Sequence, residues 1–81
     1  MEGKMTELVY PVTVDGKEIK EVELRRPKVR DLKAAAKIGK DAMEQETLLI
    51  ANLAGLPVDA VEEMDLADYT ALQEKLKSFL S

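Results

Sequence analysis

Apolar and polar residues alternate along the first third of the chain. In the stretch ELVYPVTV, residues 7–14, every second residue is apolar, and most residues are β-branched or aromatic, which is typical of a β-strand. The pair Asp15-Gly16 follows, and such pairs favour tight hairpin turns because both central positions need a positive φ. The next stretch, KEIKEVELR, reads as a returning strand. The pattern therefore predicts a β-hairpin over residues 7–25.

The pattern leaves the register of this hairpin open. A two-residue turn pairs Val12 with Ile19, whereas a three-residue loop with a glycine bulge pairs Leu8 with Val22. We favour the bulged form because it gathers five apolar side chains on one face, namely Leu8, Tyr10, Val12, Val22 and Leu24. Pro11 has no amide hydrogen to donate, so we expect the first strand to present that position outward from the pair, as an edge strand does.

From Pro27 onward the apolar residues recur with the period of helices. Val29, Leu32 and Ala36, with Ala35 beside them, predict a stripe on a first helix that runs to about residue 38. Gly39 is expected to end that helix, since glycine is common directly after a helix.

Three further helix starts share one spacing, in which a carboxylate is followed three residues later by a second acid. The first can accept a hydrogen bond from an exposed helical N–H, and the second suits the positive end of the helix. The three pairs are Asp41 with Glu44, Asp59 with Glu62, and Asp65 with Asp68. Each pair predicts the N-terminus of a short helix.

The second and last of the predicted helices carry most of the apolar residues. The stretch MEQETLLIANLAG is apolar nearly all round, so we expect it to be the most enclosed helix. The last helix has an apolar stripe at helical spacing, made of Leu66, Tyr69, Leu72, Leu76 and Phe79 or Leu80. The chain is therefore predicted to be one α+β domain over residues 1–81, with an N-terminal β-hairpin at about 7–25 and a bundle of about four short helices at about 27–80.

Composition narrows the chemistry available to the chain. Its 81 residues include no cysteine and no histidine, and its net charge is −4. Ser78 and Ser81, at the very end, are the only serines, so an imidazole base, a thiol and an internal serine nucleophile are all missing. No apolar run is long enough for a membrane span, and the first residues lack a signal-peptide pattern. We expect a chain that is not an enzyme, needs no cofactor or metal, and binds neither nucleic acid nor a membrane.

All three arginines lie within residues 25–30, around Pro27. The simplest interpretation is a structural joint between strand and helix, in which Asp31 in the first helical turn pairs with Arg25, Arg26 or Lys28. A sharper interpretation makes Arg25 and Arg26 a docking spot for an acidic or helical partner. A nucleic-acid patch is the weakest interpretation, because the rest of the chain is acidic.

The stretch LLIANLAGLP supplies much apolar side chain for so small a domain. It is most simply the core, but a hairpin and four short helices offer few places to bury all of it, and exposed apolar surface marks interaction sites. The predicted partner-binding residues are therefore Met43, Leu48, Leu49, Leu53, Leu56, Met64, Arg25 and Arg26.

Several of these features occur together in a known family. A proline in the first strand of a hairpin, the joint of Leu24, Arg25 and Pro27, a Gly-Leu loop and the late cap at Asp65 resemble the tail assembly chaperone family of contractile-tailed bacteriophages. That family includes the E protein of phage P2 and tail proteins of phage Mu. The resemblance covers residues 8–80.

The resemblance implies a definite role. Members bind the tape measure protein, a long and largely helical chain that sets tail length, and keep it soluble until the tail tube assembles. The implied protein acts in the bacterial cytoplasm, comes from a phage or prophage, and is absent from the mature virion. The resemblance also implies a longer, frameshifted form of the chain as a partner. Self-association is a further expectation, and it comes from the apolar stretch LLIANLAGLP and not from the resemblance.

Two other classes of protein compete with this interpretation. A small helix-turn-helix regulator would place Gly39 in its turn, but its recognition helix over residues 42–54 would carry Glu44 and Glu46 and no basic residue. An acyl-carrier-like protein needs a serine at the start of an internal helix, which this chain lacks. The regulator, or another protein-interaction module, is retained as the alternative.

Overall fold

The computed structural model describes residues 3–80, and it has a two-stranded antiparallel hairpin followed by four helices. The predicted α+β architecture is confirmed. The elements are β1 Lys4–Val14, β2 Lys17–Leu24, α1 Val29–Ile38, α2 Ala42–Ala54, α3 Val58–Glu62 and α4 Leu66–Phe79. Within residues 3–80, no helix is both long and apolar enough to cross a membrane.

The hairpin closes through a two-residue turn, not through the three-residue loop that we favoured. Asp15 and Gly16 both have positive φ, 52° and 78°, and Val12 pairs with Ile19. Towards the open end the register shifts, and Val22 pairs with Thr6. The predicted pairing of Leu8 with Val22 is therefore wrong, because the irregularity lies in the middle of β1 and not at the turn.

That irregularity in β1 spans the residues around Pro11. Here the amides of Val9 and Tyr10 donate to the carboxylate of Asp68 on α4, at 2.9 and 3.0 Å, instead of to β2. Leu8 is buried as predicted, but Tyr10 is exposed, which corrects the predicted apolar face. The strand turns Tyr10 outward because its backbone here is held by a helix and not by the strand ladder.

Helix α1 begins at Val29, two residues after Pro27, and ends at Ile38 as predicted, but it presents a different face to the core. Asp31 and Ala35 are its buried residues, while Val29 and Leu32 are exposed. The predicted stripe is therefore on the outside of the molecule. The cause is polar: Asp31 is drawn inward by Arg25 and by the backbone N–H of Lys28, and its orientation sets that of the whole helix.

Two of the three predicted caps are confirmed. Asp41 accepts from the N–H of Glu44 at 2.8 Å, and Asp65 accepts from the N–H of Ala67 at 2.9 Å. The prediction for Asp59 is wrong. The residue before α3 is Pro57, which has an extended backbone, and no side chain caps this helix. Asp59 instead lies in the first turn of α3, where its charge suits the helix dipole.

The hairpin packs on α2 and α4, and the centre of the core is formed by the fully buried side chains of Leu24, Ile50 and Leu72. Helix α4, and not α2 as predicted, is the more enclosed of the two. It buries Asp68, Tyr69, Leu72, Leu76 and Phe79, whereas the buried residues of α2 lie in its second half. The first half of α2 is left at the surface, where it forms one wall of a groove.

Candidate protein-binding site

An open groove of about 730 Å³ lies between the end of α1, the first half of α2, α3 and the start of α4. Its lining is mainly apolar. The apolar and aromatic side chains that line it are Ile38, Met43, Leu48, Val58, Val61, Met64, Leu66 and Tyr69. Met43 and Leu66 are 65% and 70% exposed, so the groove presents large apolar side chains to solvent. Such surface is characteristic of a site where another protein binds.

A tight turn between α1 and α2 fixes one end of the groove. Gly39 approaches α2 so closely that a Cβ on it would lie 2.9 Å from the backbone of Gln45. The side-chain amide of Gln45 donates to the carbonyl of Gly39 at 3.2 Å, and the amide of Lys40 donates to Glu44 at 2.8 Å. These contacts fix the end of α1 against the start of α2, and Ile38 and Met43, on either side of the turn, both line the groove.

The floor of the groove is built where α2 packs on α4. Met64 and Tyr69 are both buried there, on either side of the Asp65 cap, as expected for a hydrophobic staple. The Tyr69 hydroxyl donates to Glu46 at 3.0 Å and lies 3.2 Å from the Thr47 hydroxyl. Burial raises the pKa of Tyr69, and the neighbouring carboxylate adds to that rise. The phenol therefore stays a neutral donor that ties the two helices together.

The rim of the groove is acidic. Asp41, Glu44 and Glu62 line it and are exposed. Residues 41–74 contain nine acidic and no basic side chains, so no cation in this part of the sequence offsets the charge of the rim. An apolar floor inside a negative rim suits an amphipathic helix that carries basic residues beside its apolar stripe.

The predicted partner-binding residues divide between the groove and the core. Met43, Leu48 and Met64 line the groove, whereas Leu53 is buried in the core. Two further residues, Leu49 and Leu56, are partly covered, pack against the core and lie outside the groove lining. The predicted patch is split because the apolar residues of α2 point to two sides of the helix.

Arg25 and Arg26 lie at the joint between β2 and α1, away from the groove. Arg25 binds Asp31 with two hydrogen bonds, of 2.9 and 2.7 Å, and Asn52 donates to the same carboxylate at 3.2 Å. The bond from Arg25 is the main reason that the pKa of Asp31 falls from 3.8 to about 2. Arg26 lies 5.9 Å from the centre of the Phe79 ring. The interpretation of this cluster as a structural joint is thus supported for Arg25.

Five apolar or aromatic residues of the groove lining were not among the predicted partner-binding residues, namely Ile38, Val58, Val61, Leu66 and Tyr69. Leu66 and Tyr69 were assigned to the core stripe of α4, although Leu66 occupies the first turn, beyond the edge of the core. The sequence did indicate that Ile38 lies at the end of a helix, because it directly precedes the predicted stop at Gly39. The two valines gave none, since α3 was too short to show a periodic pattern.

The fold is a small α+β protein, a hairpin packed on four helices. Its exposed apolar groove with an acidic rim is typical of a protein that binds another protein. No group of three or more acidic, histidine or cysteine side chains within residues 3–80 is arranged to hold a metal ion. The chain belongs to the phage tail assembly chaperone proteins, the family described as E, or 41 or 14, whose model matches residues 6–81. The resemblance found in the sequence is therefore confirmed, and with it a role in tail assembly through a protein partner.

This family is not a known family of enzymes. No curated protein and no solved structure matches the chain significantly.

Proposed function

We propose that this protein binds the tape measure protein in the groove and keeps it soluble until the tail tube assembles around it. The observation that carries the proposal is the exposed apolar lining, in particular Met43 and Leu66, on a chain of the tail assembly chaperone family. A long helical client that waits for its tube exposes apolar stripes. The groove is suited to cover these stripes, one segment of the client at a time.

The contact is of the helix-in-groove kind. A client helix offers apolar side chains at positions i, i+3, i+4 and i+7, and these lie along one wall of such a groove. The methionine side chains in the lining are unbranched and adaptable, so successive client segments of different sequence fit the same site. Burying the exposed part of one such side chain contributes about 1–2 kcal/mol, so each segment is held weakly and reversibly. Reversible binding is what tube assembly requires.

The acidic rim adds selectivity. Glu44 and Glu62 favour client segments with lysine or arginine beside the apolar stripe, and they repel polyanions. The same charge weakens the alternative of a DNA-binding regulator, since α2 would enter a groove of DNA with Glu44 and Glu46 and without a basic residue.

Co-expression with the tape measure protein of the same phage or prophage tests the proposal. Met43→Gln/Leu66→Gln makes the groove polar without adding charge and should move most of the client from the soluble to the insoluble fraction. Met5→Gln/Leu80→Gln is the matched control, because these side chains are 51% and 75% exposed and lie outside the groove. The proposal fails if the client is equally soluble with and without this chain, or if both double variants keep it soluble.

We place this activity in the host cytoplasm, before the tail is complete. A chaperone that is displaced by the tail tube leaves no copies behind in the particle. Mass spectrometry of purified virions should therefore detect the tape measure protein without this chain. A fixed number of copies of this chain per virion would instead make it a structural subunit.

A further inference from the structure

Helix α1 presents an amphipathic face to solvent that the proposed function does not use. Val29 and Leu32 are 71% and 60% exposed on it. At helical spacing, Lys33 and Lys37 lie beside these apolar residues, on the side turned away from buried Ala35. The outward face of α1 is thus an apolar stripe flanked by a basic one.

The basic and acidic residues of the chain are separated along the sequence into two blocks. Residues 25–40 carry seven basic side chains and one acid, Asp31, whereas residues 41–74 carry nine acids and no base. The basic block contains α1, and the acidic block contains the rim of the groove. Opposite charges of this size attract molecules to each other at low salt.

Within residues 3–80, most of these charges form no ion pair. Among residues 3–80, the ion pairs are Lys20 with Glu18 and Arg25 with Asp31. On the described part of the chain, therefore, the lysines of the α1 face and Glu62 of the rim have no ion-pair partner. The described residues thus present both an apolar helix face flanked by unpaired lysines and an apolar groove with an acidic rim.

We propose that α1 of one copy docks in the groove of a second copy. Val29 and Leu32 then cover the exposed lining around Met43 and Leu66, and Lys33 and Lys37 face the acidic rim. The second copy is the favoured occupant because its α1 has the two properties that the groove selects, an apolar stripe and adjacent basic charge. The inference rests on the proposed function in one respect: the client uses the same groove, so client and second copy compete for it.

This contact regulates access to the groove. Before the client is made, α1 of a neighbouring copy shields the apolar lining, and a client helix displaces it. Because the outward face of α1 and the groove are different surfaces, the contact is heterologous, and copies either close into a ring or add one after another. One short helix buries less than the roughly 1,200 Å² of a stable interface, so association is weak and depends on concentration.

Two variants of opposite charge test the contact. Lys33→Glu/Lys37→Gln reverses the charge of the α1 face, and Glu44→Gln/Glu62→Lys neutralises the rim, in which Asp41 keeps its negative charge. In the second variant the side-chain amide introduced at position 44 still offers an oxygen acceptor to the backbone N–H of Lys40. Lys17→Glu/Lys20→Gln changes the net charge as much as the first variant but on β2, so it is the matched control. Circular dichroism confirms that each chain is folded before sedimentation equilibrium is measured on the chain alone.

We expect the wild-type chain to sediment above its monomer mass of 9.0 kDa at low ionic strength, and less so at about 0.5 M salt, where charges are screened. Each groove or α1 variant alone should sediment as a monomer, and the β2 control should associate like the wild type. Mixing the two variants should restore association, because the first retains a normal groove and the second a normal α1.

A wild-type monomer at all concentrations and at low salt overturns the inference. So does association that both charge variants retain, or a mixture that stays monomeric. These results are independent of the client assay: a chain that stays monomeric and still keeps the tape measure protein soluble refutes the self-contact alone. A chain that associates as expected but leaves the client insoluble refutes the proposed function.

Discussion

Helices α1 and α4 are both amphipathic, but they are attached to the molecule in opposite ways. Helix α4 buries its apolar stripe from Tyr69 to Phe79, with Leu72 fully enclosed between the hairpin and α2, and leaves Leu66 at its start exposed. Helix α1 buries Asp31 and Ala35 and leaves Val29 and Leu32 in solvent. One helix is held by apolar packing and the other by a polar joint.

The difference shows how a small chain keeps apolar surface available for binding. A helix oriented by its apolar side would have to bury that side. A carboxylate held by Arg25 and by the Lys28 amide orients α1 instead, so its apolar stripe can stay outside. Four substitutions, taken from the largest expected effect to the smallest, test this contrast.

Leu72→Ala should have the largest effect on stability. The side chain is fully buried at the centre of the core, and its truncation leaves a cavity that costs about 2–5 kcal/mol of unfolding free energy. Urea denaturation followed by circular dichroism measures the loss. A loss below about 1 kcal/mol would contradict the assignment of α4 as the apolar anchor.

Asp68→Ala should cost about 2–4 kcal/mol, because the strand amides of Val9 and Tyr10 then lose their acceptor. Hydrogen exchange of these two amides should become much faster than that of the other β1 amides. Glu74→Ala, an exposed acid on the same helix, is the control and should change neither quantity. Unchanged protection of the two amides after the Asp68 substitution would show that they have another partner.

Asp31→Asn should cost about 1–2 kcal/mol at neutral pH, through weaker bonds to Arg25. The pKa of Asp31 is about 2 in the folded chain against an ordinary 3.8, so its stabilising contribution is complete above the unfolded value and is lost as pH falls through the folded one. The difference in unfolding free energy between wild type and variant should therefore shrink between about pH 5 and pH 2. A difference that stays constant over this range would contradict the ion pair.

Leu32→Ala should have the smallest effect, within about 0.5 kcal/mol of the wild type, because the side chain is exposed. The proposed self-association should also be weaker in this variant than in the wild-type chain. A stability loss above about 1 kcal/mol would mean that the apolar face of α1 is packed within the molecule, as sequence reasoning first supposed.

The hairpin and the four helices were predictable because local signals determine them. Turn chemistry at Asp15-Gly16, the caps at Asp41 and Asp65 and the stop at Gly39 each act over a few residues. The register of β1 was not predictable. It depends on Asp68, which was interpreted only as part of a cap and in fact binds a strand far from it in sequence.

The candidate site was predictable in kind but not in place. An excess of apolar side chains indicated a binding surface, and Met43, Leu48 and Met64 do line the groove. Periodicity alone gives the apolar side of a helix but does not determine whether that side faces the core. In α1, the buried Asp31 turns the apolar side outward. At the start of α4, Leu66 is exposed because it lies beyond the edge of the core.

Site-specific crosslinking tests the groove as client site most directly. A photoactivatable phenylalanine analogue at position 66 or at position 80 replaces an exposed leucine near either end of α4, inside and outside the groove respectively. After irradiation of cells that also produce the tape measure protein, a covalent adduct with that protein should form from position 66 and be much weaker from position 80. Adducts from position 80 alone, or equal adducts from both, would contradict the assignment of the groove as the client site.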